Sequence, residues 1–532
     1  MKTSPDPKLE SDVREAIQSF EREIGATLAS KMLEPAGTEI FLKFVVGRDS
    51  PLYQHALHQT QAALSDGNAF KGRLGLAIER TAKFPKSQEA SCLLTLLTRS
   101  TRAVAEGTVS EGFVIPYVPF QDRKDHLLAQ PASHLVLGRR GVGKSTLIRR
   151  ALDLLSGSKG IAIVLDMQAY STLGPNDLAR EVLCDLLHTL ASRAGVVSER
   201  HSLPLPTSDI DALADRLSTG TVLPDAAAPA IKRLIKAITE RSKDSVFVFL
   251  DDFHLVESTL QPALLHLLNG ALKGANGFLK VAGVRTLTNF YSPSTRQGLQ
   301  IPGDAQEISL DLTLENPEAA ESHLRAILEN FLEAVGYRLS DQVMPQAAFK
   351  RLVWANAGVP RDFLQMFARA VEHAGRNAHS SVTVSDVNIA IGESGQRKSQ
   401  ELQEDTRNEL AQLQLMTVAL ESYCLDHNKV NAFLLKSEDS DERRLVRKLS
   451  DLRLVHLIHQ SITPDRAGER YEAFILDYSL FTGFRRRPNI REMVPSSGQF
   501  KASELRKLPK VSRGFLAEQQ ASMTAAVADV VA

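Results

Sequence analysis

Apolar positions recur along this chain with two periods, and the periods divide it. Val13, Ile17, Phe20, Ile24 and Leu28 fall three and four apart, the spacing of one helix face. Similar spacing predicts helices over about 51–64 and 89–106, so residues 1–115 read as a mainly helical region, a layer packed on whatever follows. Inside it, 39–46 (EIFLKFVV) reads as a strand or a short buried helix; periodicity leaves both open. From 116 to 315 the pattern changes. Apolar runs at 135–137, 160–167, 245–250, 278–284 and 307–312 alternate with helical stretches. Strands buried on both faces of a parallel sheet read this way. Residues 204–224 look interrupted and loop-like. Residues 316–380 predict three helices, the third opening at Arg361 after the turn Asn356-Ala357-Gly358-Val359-Pro360. Residues 381–485 predict helices, among them one at 430–436 and one at 440–452, then two strands around a 464–468 turn: a winged-helix-like unit. Residues 486–532 read as a basic, flexible tail.

The chemistry concentrates after the first strand of the central block. There Gly138-Arg139-Arg140-Gly141-Val142-Gly143-Lys144-Ser145-Thr146 completes G-x-x-x-x-G-K-[ST], between a strand and a helix. Its glycines let the backbone turn tightly and aim successive N–H groups at a phosphate, and the following helix adds its positive dipole end. Lys144 is placed to reach the β- and γ-phosphates, and the Ser145 hydroxyl to ligate Mg2+. About a hundred residues on, the strand SVFVFL ends in Asp251-Asp252. An acid pair there complements the loop: Asp251 holds Mg2+, and Asp252 orients or deprotonates an attacking water. The next strand ends in Arg285-Thr286-Leu287-Thr288, polar groups that lie beside the loop if the strands are neighbours. Arg296, in the loop after it, is a candidate arginine finger or a solvated charge. Phe120 and Arg123 suit a base-stacking role or a linker, and His254 reads first as a packing or capping residue.

Composition narrows the class without naming a partner. Apolar content of 43% and charged content of 24% are those of a globular protein. Lys+Arg and Asp+Glu both number 63, so any basic surface is local. The three cysteines, Cys92, Cys184 and Cys424, offer neither zinc spacing nor a disulfide framework, which suits a reducing cytosol. With no long apolar run and a polar start, the expectation is a cytoplasmic protein without membrane contact. Local basic surface is sought in Arg443, Arg444, Arg447 and Lys448 on the 440–452 helix and in Arg466 and Arg470 on the hairpin. The tail adds Arg485, Arg486, Arg487, Arg491, Lys501, Arg506, Lys507, Lys510 and Arg513. DNA is thus a candidate partner through 440–470 and the tail. Asp439, Asp441, Glu442 and Asp451 dilute the helix, and a solvated tail is the alternative.

The order of glycine loop, apolar strand, acid pair, polar-ended strand and helices bearing Gly358-Val359-Pro360-Arg361 resembles the AAA+ P-loop ATPases. It is most similar to origin-recognition-type initiators and to STAND signalling NTPases. The resemblance, over about 115–380, implies a P-loop α/β core with a parallel sheet and a helical lid, ATP and Mg2+ as ligands, and ATP hydrolysis to ADP and phosphate. It further implies self-association and a nucleotide state that controls assembly and partner or DNA binding. It maps the lid sensor onto Arg361, the strand-end sensor onto 286–288, and the finger onto Arg296 or Arg285. In the STAND branch the 358–360 turn faces the β-phosphate, and partners are proteins without DNA contact. The acid pair Asp251-Asp252 departs from the Asp-Glu usual in hydrolytic AAA+ proteins.

Overall fold

The computed structural model describes residues 7–79, 82–101, 113–156, 160–405, 409–464, 468–483, 487–494, 500–519 and 521. Arg466, Arg485 and Arg486 lie outside the described residues.

The N-terminal region is mixed, where the periodicity predicts mainly helix. Helix α1 (Pro7–Ile24) is followed by strands β1 (Ser30–Ala36) and β2 (Glu39–Val46), helix α2 (Pro51–Ala63), strand β3 (Leu74–Ile78) and helix α3 (Gln88–Thr101). The strands form a three-stranded sheet in the order β1-β2-β3. Residues 39–46 are therefore a strand, with Leu42, Phe44 and Val46 turned to the core at period two.

The central block opens with the short helix α4 (Lys124–Leu128) and strand β4 (His134–Leu137), then helix α5 (Lys144–Ser156) and strand β5 (Gly160–Asp166). Helices α6 (Pro175–His201), α7 (Thr207–Ser218) and α8 (Pro224–Ser242) precede strand β6 (Ser245–Asp251). Helix α7 occupies what reads as a loop; Ile210, Leu213, Ala214 and Leu217 form its buried stripe. Helix α9 (Gln261–Leu272), strand β7 (Gly277–Gly283), the hairpin β8 (Tyr291–Ser292) and β9 (Gln297–Gly298), and strand β10 (Gln306–Ser309) complete the block. Its sheet is five-stranded and all parallel, in the order β10-β4-β7-β6-β5. Alternation sorts side chains to two layers. Leu135, Leu137, Val246, Val248 and Leu250 pack against α6 to α9, while Val136, Phe247 and Phe249 pack with Leu147, Ile148 and Ala151 of α5. All strands point the same way, so every carboxyl end, and every functional candidate on one, lies along one edge.

Three lid helices follow: α10 (Pro317–Ala334), α11 (Gln346–Asn356) and α12 (Pro360–Arg376). Helix α3 packs against α10 and α12, so the N-terminal layer rests on the lid. Helices α13 (Val384–Asp405) and α14 (Leu410–Glu421) lead to strand β11 (Ala432–Lys436), helix α15 (Asp441–Asp451) and strands β12 (Val455–Ile462) and β13 (Tyr471–Leu476). Residues 432–436 form a strand instead of the expected helix. The run AFLLK is too short for periodicity to decide, and pairing with β13 decides it. Helix α16 (Ala502–Leu505) and strand β14 (Lys510–Val511) follow; β14 pairs with β11 and extends the sheet to the order β12-β13-β11-β14. Where a flexible tail is expected, Leu505, Leu508, Val511 and Phe515 are therefore buried. No helix among the described residues is long and apolar enough to cross a membrane.

Candidate functional site

Strand β4 delivers the glycine loop to the carboxyl edge of the sheet. Gly141 and Gly143 adopt φ of +78° and +100°, values an L side chain resists. A Cβ on Gly143 would meet nothing within 4 Å, so the space above the loop is open. Lys144 begins α5 and is buried, its Nζ donating to the carbonyls of Gly138 (3.0 Å) and Arg139 (3.2 Å). Burial pushes its ammonium below the usual lysine value, and Asp252 and Asp251 pull it back. Ser145 and Thr146 are exposed at the α5 N-terminus, where free N–H groups favour an anion.

Strand β6 brings the acid pair alongside. Asp251 accepts a hydrogen bond at 2.9 Å from the Asp252 backbone N–H, and the nearby Ser145 hydroxyl favours its ionised form. Burial, then the neighbouring Asp252, raises its carboxyl above the usual range. Asp252 sits in the left-handed region (φ +49°) with its side chain 39% exposed. No three acidic, histidine or cysteine side chains converge to hold a metal among the described residues. Ser145 and Asp251 nevertheless offer two oxygens, which suits Mg2+ keeping water and phosphate oxygens elsewhere in its shell. Beside them His254 is buried with no hydrogen-bond partner on either ring nitrogen; burial, then Lys144 and Arg140, push its ring down to about 3.

The lid turn closes on the same loop. The Arg361 N–H donates to the Gly141 carbonyl at 3.2 Å. A Cβ on Gly141 would lie 2.8 Å from the Arg361 Cβ, so only glycine allows this approach. Gly358, at φ +83°, passes so close to the Leu312 carbonyl that a Cβ there would sit 2.2 Å away. Arg361 is half-buried, and its charge is one of those felt by Lys144.

Other candidates are placed differently. Arg139 faces away from the open space: its N–H and Nε donate to Asp311 (3.0 and 3.1 Å), and Nη2 donates to the carbonyls of Leu312 (3.0 Å) and Ala357 (2.9 Å). Its Nη1 lies 3.5 Å from Nδ1 of His456, on β12. Nε2 of His456 is 2.8 Å from Asp477, which also accepts from Lys398 at 2.5 Å. Arg453 donates to Asp362, next to Arg361, at 2.5 Å. A buried polar network thus joins loop, lid and C-terminal unit. Burial alone would raise Asp477, but Lys398 and His456 hold it below the usual carboxylate range. Burial drives His456 down to about 4. The arrangement fixes one tautomer: a neutral ring donating Nε2–H to ionised Asp477 and accepting at Nδ1 from Arg139. The only sequence signals for this network are single polar residues in apolar strands, His456 in LVHLI and Asp477 after FIL.

Thr286 follows β7, which lies between β4 and β6. Its N–H and hydroxyl donate to Asp451 of α15 at 3.0 and 2.6 Å, so it meets the C-terminal unit. Thr288 turns inward, donating to the Val284 carbonyl. Arg285 pairs with Glu307, and Arg296 is exposed in the β8–β9 turn at φ +56°. Phe120 is buried and stacked on His323 of α10, 4.7 Å between centroids. Arg123 lies at φ +51° beside His126. On α15, Arg443 and Arg447 pair with Glu472, and Arg444 and Lys448 with Glu409. Exposed basic side chains remain at Arg470, Arg491, Lys501, Arg506, Lys507 and Arg513.

No family model matches the chain, and no curated protein matches it. Solved structures do. A Drosophila ORC bound to DNA is 15% identical and matches over 75% of this chain and 92% of its own, with a TM-score of 0.35. A Walker-type ATPase of Pyrococcus abyssi is 14% identical over 71% of this chain and 98% of its own, TM-score 0.42. The Aeropyrum pernix ORC2 protein, in ADPNP and ADP complexes, is 14% identical over 78% of this chain and 98% of its own, TM-score 0.36. At these identities and TM-scores nothing further is drawn from them, and the chemistry rests on the residues described above. The chain resembles the origin-recognition-type AAA+ ATPases.

Proposed function

We propose that this chain binds Mg·ATP at the 138–146 loop, hydrolyses it slowly to ADP and phosphate, and uses the nucleotide state to control how its lid and C-terminal unit dock. One observation carries the reading. The exposed α5 N-terminus, buried Lys144, Ser145, Asp251, Asp252 and the lid turn at Arg361 lie close together at the carboxyl edge of the sheet. The backbone N–H groups and Lys144 bind the β- and γ-phosphates. Bound at Ser145 and Asp251, Mg2+ supplies charge neutralisation for the phosphate oxygens. Asp252, partly exposed, orients the attacking water and accepts its proton. Arg361 reaches the γ-phosphate from the lid, and Arg296 serves a neighbouring copy as finger. Thr286 and Arg139 report on the site by their contacts with Asp451 and His456.

For the partner, DNA is the first candidate, through the exposed basic residues of 468–513. A second reading is a STAND-like switch acting through proteins. The ion pairs that engage all four basic side chains of α15 favour it. The test is phosphate release by the wild type and Asp252→Ala, with and without duplex DNA at two salt concentrations. Wild-type turnover, with ATP retained uncleaved by Asp252→Ala, is expected; equal turnover in both removes the proposed site. Stimulation by DNA that fades with salt selects the first partner, and indifference to DNA selects the second.

A further inference from the structure

His254 is the one polar side chain beside the acid pair whose burial is left uncompensated. It lies in the 3-10 turn Phe253–Leu255 directly after Asp252, anchored by fully buried Phe253 in the core beneath. The imidazole is 2% exposed, and neither Nδ1 nor Nε2 has a hydrogen-bond partner. Nδ1 stands 3.9 Å from Oδ1 of Asp252, just beyond hydrogen-bond reach. The charged groups facing it are Asp252, Lys144 and Arg140. Such a ring has lost its water and gained nothing in exchange, so an apolar residue would serve packing better. The compensation has to come from a group that can move. Asp252 is that group: its side chain is partly exposed, and a shift of about 1 Å closes the gap.

We propose that His254 is a positioning residue for Asp252. In the Mg·ATP-loaded site its Nδ1–H donates to one carboxylate oxygen of Asp252 and leaves the other aimed at the attacking water. The ring touches neither nucleotide nor water and acts only through Asp252. The inference rests on the proposed ATPase reading. The geometry also explains how an aspartate, one methylene shorter than glutamate, is held steady at this place.

The test uses the whole 532-residue chain with His254→Leu, His254→Asn, Asp252→Ala and the double variant His254→Leu/Asp252→Ala. Mg·ATP affinity and steady-state hydrolysis are measured for each, with circular dichroism to check folding. His254→Leu should lower kcat about 30-fold while KM and ATP affinity stay within about twofold of wild type. His254→Asn, whose amide N–H can replace Nδ1–H, should recover most of the loss. In the Asp252→Ala background, His254→Leu should cost nothing further, because its route is gone. The proposal is overturned if His254→Leu hydrolyses at the wild-type rate, if asparagine rescues no better than leucine, or if the two losses multiply. A wild type that neither binds nor cleaves ATP overturns the function itself, which separates that failure from this one.

Discussion

Replacing His456 by leucine isolates the buried network that joins the glycine loop to the C-terminal unit. The ring is fully buried, donates to Asp477 at 2.8 Å and faces Arg139 at 3.5 Å. Leucine fills a similar volume but leaves Asp477 one donor short, although Lys398 and the Ser479 N–H (3.0 Å) remain. A hydrogen bond to a charged group contributes about 1.5–3 kcal/mol, so a loss of about 2 kcal/mol at pH 7.5 is expected. The pH dependence carries the sharper signature. The ring titrates at about 4 in the fold against 6.5 when unperturbed. A depressed folded value means the unfolded chain takes up the proton first. The ring's contribution is therefore complete above pH 6.5 and is lost as pH falls toward 4. Between pH 7.5 and 5.5 this one ring costs the wild type about 1.4 kcal/mol, and leucine costs nothing. The gap between the two proteins should narrow to under about 1 kcal/mol at pH 5.5. His134, His254 and His323 shift in the same direction but are common to both proteins and cancel. Urea titrations at the two pH values, followed by fluorescence of the single tryptophan, buried Trp354 of α11, read the difference. A gap of the same size at both pH values would refute a neutral, buried His456.

Thr286→Val removes the hydroxyl bond to Asp451 while sparing the backbone one, and should weaken docking of α15 by about 1–3 kcal/mol. Faster amide exchange at 441–451, with the central sheet unchanged, is the readout. Gly141→Ala sets a Cβ 2.8 Å from that of Arg361 at φ +78° and should displace the lid, lowering nucleotide affinity more than tenfold. Unaltered affinity in a folded Gly141→Ala protein would mean that the lid contact is dispensable.

What the sequence made legible was what neighbours in sequence determine. The glycine loop needs particular residues at fixed spacing, and the parallel strands are apolar on both faces, so both stand out. Strand β1 does not, because its residues are mostly exposed and carry no alternation. Strand β11 is a five-residue stretch, resolved only by β13 and β14 on either side. In 500–519 the charges mask a pattern: Leu505, Leu508, Val511 and Phe515 recur three and four apart and pack. Among site candidates, Lys144, Ser145, Asp251, Asp252 and Arg361 meet on one edge of the sheet. Arg139 departs from expectation because its partners lie 172 and 317 residues away, at Asp311 and His456. Thr286 departs for the same reason, held by Asp451 at a separation of 165. Long-range polar pairing leaves no periodic trace in a single sequence.

The proposed nucleotide site is built on Lys144. Calorimetric titration of the wild type and Lys144→Ala with ATP, each with and without Mg2+, tests it most directly. Mg2+-dependent binding by the wild type is expected, with affinity at least a hundredfold weaker in a folded Lys144→Ala protein, about 2.7 kcal/mol. Equal binding by the two proteins, or none by the wild type, would contradict it.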